Sequence, residues 1–329
     1  MQAKFLVIQT AFIGDVVLAT SLIENIHAAF PDAAIDLLVR QGNESLLRGH
    51  PFLRNVLVWN KKEKKIPNLL KMLRQIRREK YHTVVNVQRY AATGMLTAFS
   101  GAKNRIGFDK NPLSFMFSKK VKHQFTELHE IDRNHLLIAD LVKSPVMRPR
   151  LYPSATDFEK INKYVDQPLI TISPASVWFT KQYPINKWIS FINEVPPQYN
   201  IFLLGAPADF EKSEQILKKS THLSTANLCG QLNFLQSAAL MQNAVMNYVN
   251  DSAPMHFASA VNAPVTAIYC STLPSFGFGP LSDESHIVEI PRPLACRPCG
   301  LHGRAACPLG HFKCAYEIND EQLLATITA

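Results

Sequence analysis

KFLVIQTAFIGDVVLATSLIENIHAAFPDAAIDLLVR, residues 4–40, decides the fold. Phe5 to Ile8 is an apolar run, and Gln9 to Asp15 is a short break. A helical pattern then runs to Phe30, and a second apolar run covers Ile35 to Val39. Strand, loop, helix and strand in that order open a parallel sheet, because parallel neighbours need a crossover long enough to hold a helix. The loop after the first strand carries Gly14-Asp15. Open α/β sheets place ligands and catalytic groups just past the C-terminal ends of their strands. A carboxylate ahead of a helix either caps it or serves as a base, and local pattern leaves both roles open for Asp15.

The alternation continues outward. VLVWN (56–60) and HTVVNVQ (82–88) read as strands. KSPVMRPRLYPSAT (143–156) holds three prolines without periodicity and reads as a linker. The pattern then restarts with LITISP (169–174), YNIFLLGAP (199–207), AVMNYVND (244–251) and PVTAIYC (264–270) as strands. Helices are expected at about 185–194, 208–220, 233–243 and 253–262. Two successive βα halves predict an α/β chain of two doubly wound domains facing a cleft, residues 1–150 and 151–329.

Composition narrows the function. The chain has 329 residues, is 47% hydrophobic and carries a net charge of +9. No apolar run is long enough to span a bilayer, and the N-terminus does not read as a signal peptide, so a cytoplasmic protein is expected. The positive charge is concentrated in KKEKKIPNLLKMLRQIRREK (61–80), with more Lys and Arg at 103–122. Such a face suits nucleic acid, an anionic membrane or a phosphorylated substrate. It also suits a solvated helix, with Ile66, Leu69, Leu70, Leu73 and Ile76 as its buried stripe. There is no nucleic-acid motif or aromatic series, so nucleic acid is not an expected partner. The absence of GxGxxG and of GxxxxGK[ST] argues against a dinucleotide oxidoreductase and a P-loop NTPase.

The second half has its own loop signals. Lys181 follows the strand end at 169–174 and precedes a helix begun by Pro184, so it is a phosphate ligand or a surface lysine. Asp209, after Gly205-Ala206-Pro207-Ala208, suits ribose hydroxyls or an N-cap. Asn250-Asp251-Ser252-Ala253-Pro254-Met255-His256 opens a helix whose first-turn amides form either a capped end or an anion site. Cys296-x2-Cys299-x7-Cys307-x6-Cys314, with His302 and His311 nearby, has four thiols that could hold structural zinc, remain free or form a redox-dependent disulfide. Cys229 and Cys270 adjoin apolar runs and are expected in the core.

Taken together, IGDVVLATSLIENIHAAFPDAAIDLLV, RIGFD (105–109), the TKQYP-helix element (180–184), LLGAPAD (203–209), LCG (228–230) and NDSAPMHFASAVNAPVTAIY (250–269) resemble the lipopolysaccharide heptosyltransferases, glycosyltransferase family 9. The likeness runs from Lys4 to about Cys314, and the GD loop and DS-x-P-x-H helix start are its most specific parts. The resemblance implies a GT-B architecture of two Rossmann-like domains, with the acceptor on the first and the nucleotide sugar on the second. It implies that Asp15 is the catalytic carboxylate and that Lys181 contacts the donor diphosphate. Asp209, Asp251, Ser252, Ala253 and His256 would lie at the donor site, and Lys61, Lys62, Lys64, Arg89, Arg105 and Arg133 on the acceptor side. The implied activity is transfer of heptose from ADP-heptose, with inversion, to a lipopolysaccharide core or lipid A acceptor. The partners would be that donor and an anionic glycolipid, met by peripheral contact with the inner membrane.

One departure stands out. The family commonly has Asp-Ser-Gly-Pro where this chain has Asp251-Ser252-Ala253-Pro254. The methyl of Ala253 limits close approach and positive φ. No two Asp residues are two apart, so no D-x-D is present to bring a metal to the diphosphate. No cofactor is therefore expected, and Lys181 and the helix dipole at Ser252 would take the cation's role. A non-catalytic nucleotide-sugar-binding protein, or transfer of a different sugar, is the competing function on the same fold.

Overall fold

Phe5, Leu6, Val7 and Ile8 are all buried, as a central parallel strand covered on both faces requires. They belong to β1 (Lys4–Ile8). The computed structural model describes residues 2–124 and 128–327. The chain divides into two units, Met1–Tyr152 and Pro153–Ala329.

In the first unit β1 is followed by α1 (Ile13–Ala29), β2 (Ala34–Arg40), β3 (Leu53–Trp59) and α2 (Lys65–Glu79). β4 (Thr83–Asn86), α3 (Ala91–Ala98), β5 (Asn104–Phe108), β6 (Lys119–Val121) and α4 (Glu130–His135) complete it. The strands form one parallel sheet in the order β3-β2-β1-β4-β5-β6. The order reverses between β1 and β4, and such a switch point opens a crevice at the C-terminal ends of the two strands.

The second unit runs α5 (Ala155–Ile161), β7 (Leu169–Ser173), α6 (Ile185–Glu194), β8 (Asn200–Leu203), α7 (Phe210–Lys219) and β9 (Thr225–Asn227). It continues with α8 (Phe234–Gln242), β10 (Met246–Asn250), α9 (Ala253–Ala260), β11 (Val265–Tyr269) and β12 (Ser285–Glu289), and ends with α10 (Lys313–Tyr316) and α11 (Asp320–Leu324). Its sheet, β12-β11-β10-β7-β8-β9, is also parallel and repeats the topology of the first, with the switch between β7 and β10. One face of this sheet, with Tyr248 of β10, packs on Tyr183, Trp188 and Phe191. Cys229 and Cys270 are buried as expected.

Several expectations need correction. The strand expected at 82–88 stops at Asn86, and that expected at 199–207 is only Asn200–Leu203. β6 and β9 are too short to register as apolar runs, while β12 at the sheet edge has exposed positions. In α2 the buried residues are Met72 and Ile76. Ile66 and Leu70, assigned to the buried stripe, are instead 71% and 41% exposed. The proline-rich segment is not a loose linker. Ser21 Oγ donates to Met147 O at 2.5 Å, and Asn25 Nδ2 to Pro145 O at 2.8 Å. Asn25 Oδ1 accepts from Met147 N (3.0 Å), and Thr20 Oγ1 from Arg150 N (2.8 Å). Tyr152 Oη reaches Glu24 at 2.9 Å. One side of α1 thus holds the segment up to the unit boundary, and α5 starts inside the expected linker.

Candidate functional site

Asp15 lies in the first turn of α1, whose N-cap residue is Phe12, and that cap provides no side-chain hydrogen bond. An acid in the first turn is favoured by the exposed N–H groups of the helix. Burial, and secondarily the neighbouring negative charge of Glu130, nevertheless raise the Asp15 pKa from 3.8 to about 6. Hydrogen bonds from the Asp15 and Phe12 backbone, and the positive charge of Arg40, act in the opposite direction without cancelling the rise. A carboxyl group tuned to that range is matched to proton abstraction near neutral pH. Glu130 begins α4, which packs on α1. Arg133 Nη2 and Nε donate to its Oε2 at 2.7 and 3.0 Å.

The other C-terminal strand ends supply cations. Arg40 is the last residue of β2, and Lys61 follows β3 by two residues. Lys61 Nζ donates to Thr10 O (3.0 Å) and Thr10 Oγ1 (2.7 Å), and lies 4.9 Å from the Trp59 ring centroid. Burial, aided by Arg40, lowers its pKa from 10.5 to about 8. Lys62 and Lys64 are exposed, so the basic stretch divides into one lysine on the Asp15 loop and others on the outer surface. Beyond β4, Arg89 lines a cavity of about 350 Å³ with Tyr90, Lys110 and His123. Burial, followed by the charges of Arg89 and Arg133, lowers the pKa of His123. Arg105 is not brought to this edge. It is the second residue of β5, toward the opposite end, and its Nη1 donates to Ala102 O at 2.7 Å.

In the second unit, Lys181 Nζ meets Asp251 Oδ2 at 2.6 Å, and Thr272 Oγ1 donates to the same oxygen at 2.6 Å. These residues follow β7, β10 and β11 at their C-terminal ends. Ser252 is the N-cap of α9, but its hydroxyl turns back to Asn250 O at 3.3 Å and forms no cap bond to the helix. Ala253 begins α9 with ordinary negative φ, so this helix start does not require glycine's conformational freedom. His256 is buried one turn further in. Asp209 Oδ2 accepts from Ala206 N at 2.8 Å, so this carboxylate holds the turn that precedes α7.

The cysteine-rich segment backs Lys181. Arg304 N donates to Thr180 Oγ1 (2.8 Å), Thr180 N to Arg304 O (3.1 Å), and Cys299 N to Ser271 O (2.8 Å). Gly303 has φ +77°, and a Cβ there would lie 2.9 Å from Lys181 Cγ. Cys296, Cys299, Cys307 and Cys314 are all free thiols. Among the described residues, no group of three or more His, Cys, Asp or Glu side chains is arranged to hold a metal ion. The segment packs against Lys181 through Gly303 and the Arg304–Thr180 bonds.

Sequence reasoning missed Glu130, Thr10, Arg40, Thr272 and Gly303. Only Arg40, directly after an apolar strand, carried a readable signal.

A model of glycosyltransferase family 9 (heptosyltransferase) matches residues 69–302. Lipopolysaccharide heptosyltransferase 3 of Escherichia coli is 25% identical over 284 residues, covering 79% of this chain and 82% of that protein. The solved structure of E. coli ADP-heptose lps heptosyltransferase II superposes with a TM-score of 0.81 at 20% identity, covering 98% and 97% of the two chains. A glycosyltransferase family 9 structure from Veillonella parvula gives 0.85 at 18% identity, over 99% and 96%. At those identities the structures establish the shared fold.

Proposed function

This chain belongs to glycosyltransferase family 9, the heptosyltransferases, and on that premise we propose that it transfers heptose from ADP-heptose, with inversion, to the lipopolysaccharide core. The observation that carries this reading is the Asp15 environment. It is a half-buried carboxyl with its pKa raised to about 6, at the switch point of the acceptor-side sheet, with Arg40 among its charged neighbours and Lys61 bonded to Thr10 of the same loop.

In the proposed reaction the Asp15 carboxylate takes the proton of an acceptor hydroxyl. The acceptor oxygen bonds to the anomeric carbon, and the bond from that carbon to the diphosphate oxygen breaks. The electron pair leaves on the phosphate. Lys181 and the N-terminal end of α9 receive that charge. Fixed cations and dipoles aimed at developing charge are the strongest catalytic device available without a metal. Before donor binds, Asp251 holds the Lys181 ammonium at 2.6 Å. The carboxylate keeps the cation aligned and yields part of its coordination to the incoming phosphate. The absence of D-x-D and this lysine together support a metal-independent reaction.

The acceptor is proposed to be an anionic glycolipid, met by peripheral attachment at the inner face of the membrane. Exposed Ile66 and Leu70 beside Lys62, Lys64 and Lys65 support this reading: an apolar and basic helix face is suited to an anionic bilayer surface. Among the described residues no helix is long and apolar enough to cross a membrane.

The direct test is a panel of nucleotide sugars scored by thermal shift and by transfer to deacylated lipopolysaccharide core. ADP-heptose should give the largest shift and EDTA-resistant turnover. A larger response to another nucleotide sugar would reassign the donor. Binding without turnover on any core acceptor would favour a non-catalytic role.

A further inference from the structure

Phe12 stands against local preference. N-cap positions favour Ser, Thr, Asp or Asn, whose oxygens satisfy a helix N–H, and Phe12 offers none. Nor does its ring join the core, for the residue is 62% exposed three positions before Asp15. The loop that carries it is nevertheless fixed. Ala11 N donates to Gln9 Oε1 (3.1 Å), and Gln88 Nε2 holds the same oxygen at 2.5 Å. Ala11 O accepts from Asn43 Nδ2 (3.2 Å), and Thr10 O from Lys61 Nζ (3.0 Å). An apolar ring presented to solvent on a rigid loop beside a base has the attributes of a contact surface.

Arg40 supplies the second part. Its Cζ lies over the Phe12 ring, 5.0 Å from the centroid and within cation–π range. A guanidinium held over a ring keeps N–H donors that match a carboxylate or phosphate. β2 pairs with β1, which places Arg40 on the same sheet edge as the Asp15 loop.

We propose that Phe12 and Arg40 form a subsite for one anionic pyranose of the acceptor, its C–H face on the Phe12 ring and its carboxylate or phosphate on Arg40. This rests on the reading of Asp15 as the base. It adds a specificity element on the acceptor side: a neutral sugar could reach Asp15 but would lose the Arg40 contact.

The probes are methyl β-glucuronide, galactose 6-phosphate and neutral methyl β-glucoside, observed by saturation-transfer NMR with the full chain. Both anions should receive saturation at their ring C–H protons, and the neutral glycoside much less. The stronger of the two anions identifies whether the preferred group is carboxylate or phosphate. Phe12→Ala should abolish the signal and Phe12→Tyr preserve it, while Arg40→Gln should erase the preference for charge. With deacylated lipopolysaccharide core as acceptor, Phe12→Ala should raise the acceptor KM about tenfold with kcat and donor affinity nearly unchanged, the mark of lost uniform binding.

Equal saturation of the charged and neutral sugars, or an unchanged signal and KM in Phe12→Ala, overturns the subsite. Asp15→Asn should keep the saturation signal while losing turnover. If Asp15→Asn turns over normally and Phe12→Ala still raises KM, the base assignment fails and the subsite stands.

Discussion

The two sheets share one strand order, but the charges at their C-terminal edges are held in different ways. In the first unit Lys61 rests on the Thr10 oxygens and Arg40 lies over the Phe12 ring, while Arg133 is paired with Glu130. The Asp15 carboxyl is pushed toward its protonated form. In the second unit the cation is ion-paired, Lys181 to Asp251 at 2.6 Å. Under the proposed function the first edge would meet the acceptor and take its proton, and the second would exchange its ion pair for the donor diphosphate. One scaffold supports both because the loops after its strands, not the strands, carry the chemistry.

Removing the acid should break the comparison most severely. Asp15→Asn is expected to retain donor binding and lose roughly 10²–10⁴-fold in rate, the usual contribution of general base catalysis. Single-turnover assays of the purified variant test this, and near-normal rates would remove Asp15 from the mechanism. Lys181→Ala should follow. It is expected to cost about 2–4 kcal/mol in transition-state stabilisation, as loss of a fixed donor to a leaving group does. Stopped transfer reactions across donor concentrations measure it; turnover that depends on added Mg²⁺ even in the wild type would contradict the metal-free account.

Charge reversal sharpens the division within the basic stretch. Lys62, Lys64 and Lys65 changed together to Glu should reduce sedimentation with anionic vesicles by about an order of magnitude or more, in a salt-sensitive way. Lys61→Glu should leave vesicle binding largely intact and damage acceptor kinetics, because that lysine sits on the Asp15 loop. Equal effects of the two variants on both readouts would erase the distinction.

The smallest expected effect is on pH dependence. A base with a raised pKa is protonated and idle below it, so kcat/KM should fall as pH drops through about 6. Glu130→Gln removes the negative charge that contributes to the rise. Its acid limb should therefore move to lower pH with the plateau rate kept. An unmoved limb would assign the perturbation to burial alone.

The fold was legible where burial on both faces wrote an apolar run into the chain, as at Phe5–Ile8 and Leu169–Ile172. It was not legible at the sheet margins, where β6 and β9 are three residues each and carry no periodic signal. Asp15 and Lys181 stood out as candidates because each follows such a run. Their tuning could not be read. Glu130 reaches Asp15, and Gly303 reaches Lys181, through contacts far apart in sequence. The basic stretch misled in a specific way: one helical period was assigned to Ile66 and Leu70 that the surrounding lysines leave in solvent.

The strap laid along α1 by Thr20, Ser21, Glu24 and Asn25 has a consequence for recombination. It finishes at Tyr152, and neither sheet borrows a strand from across that point. The chain is therefore written as two consecutive cassettes with a single seam. An exchange of genetic material at the codons for Tyr152 and Pro153 would transplant the whole second sheet while leaving every strap contact intact.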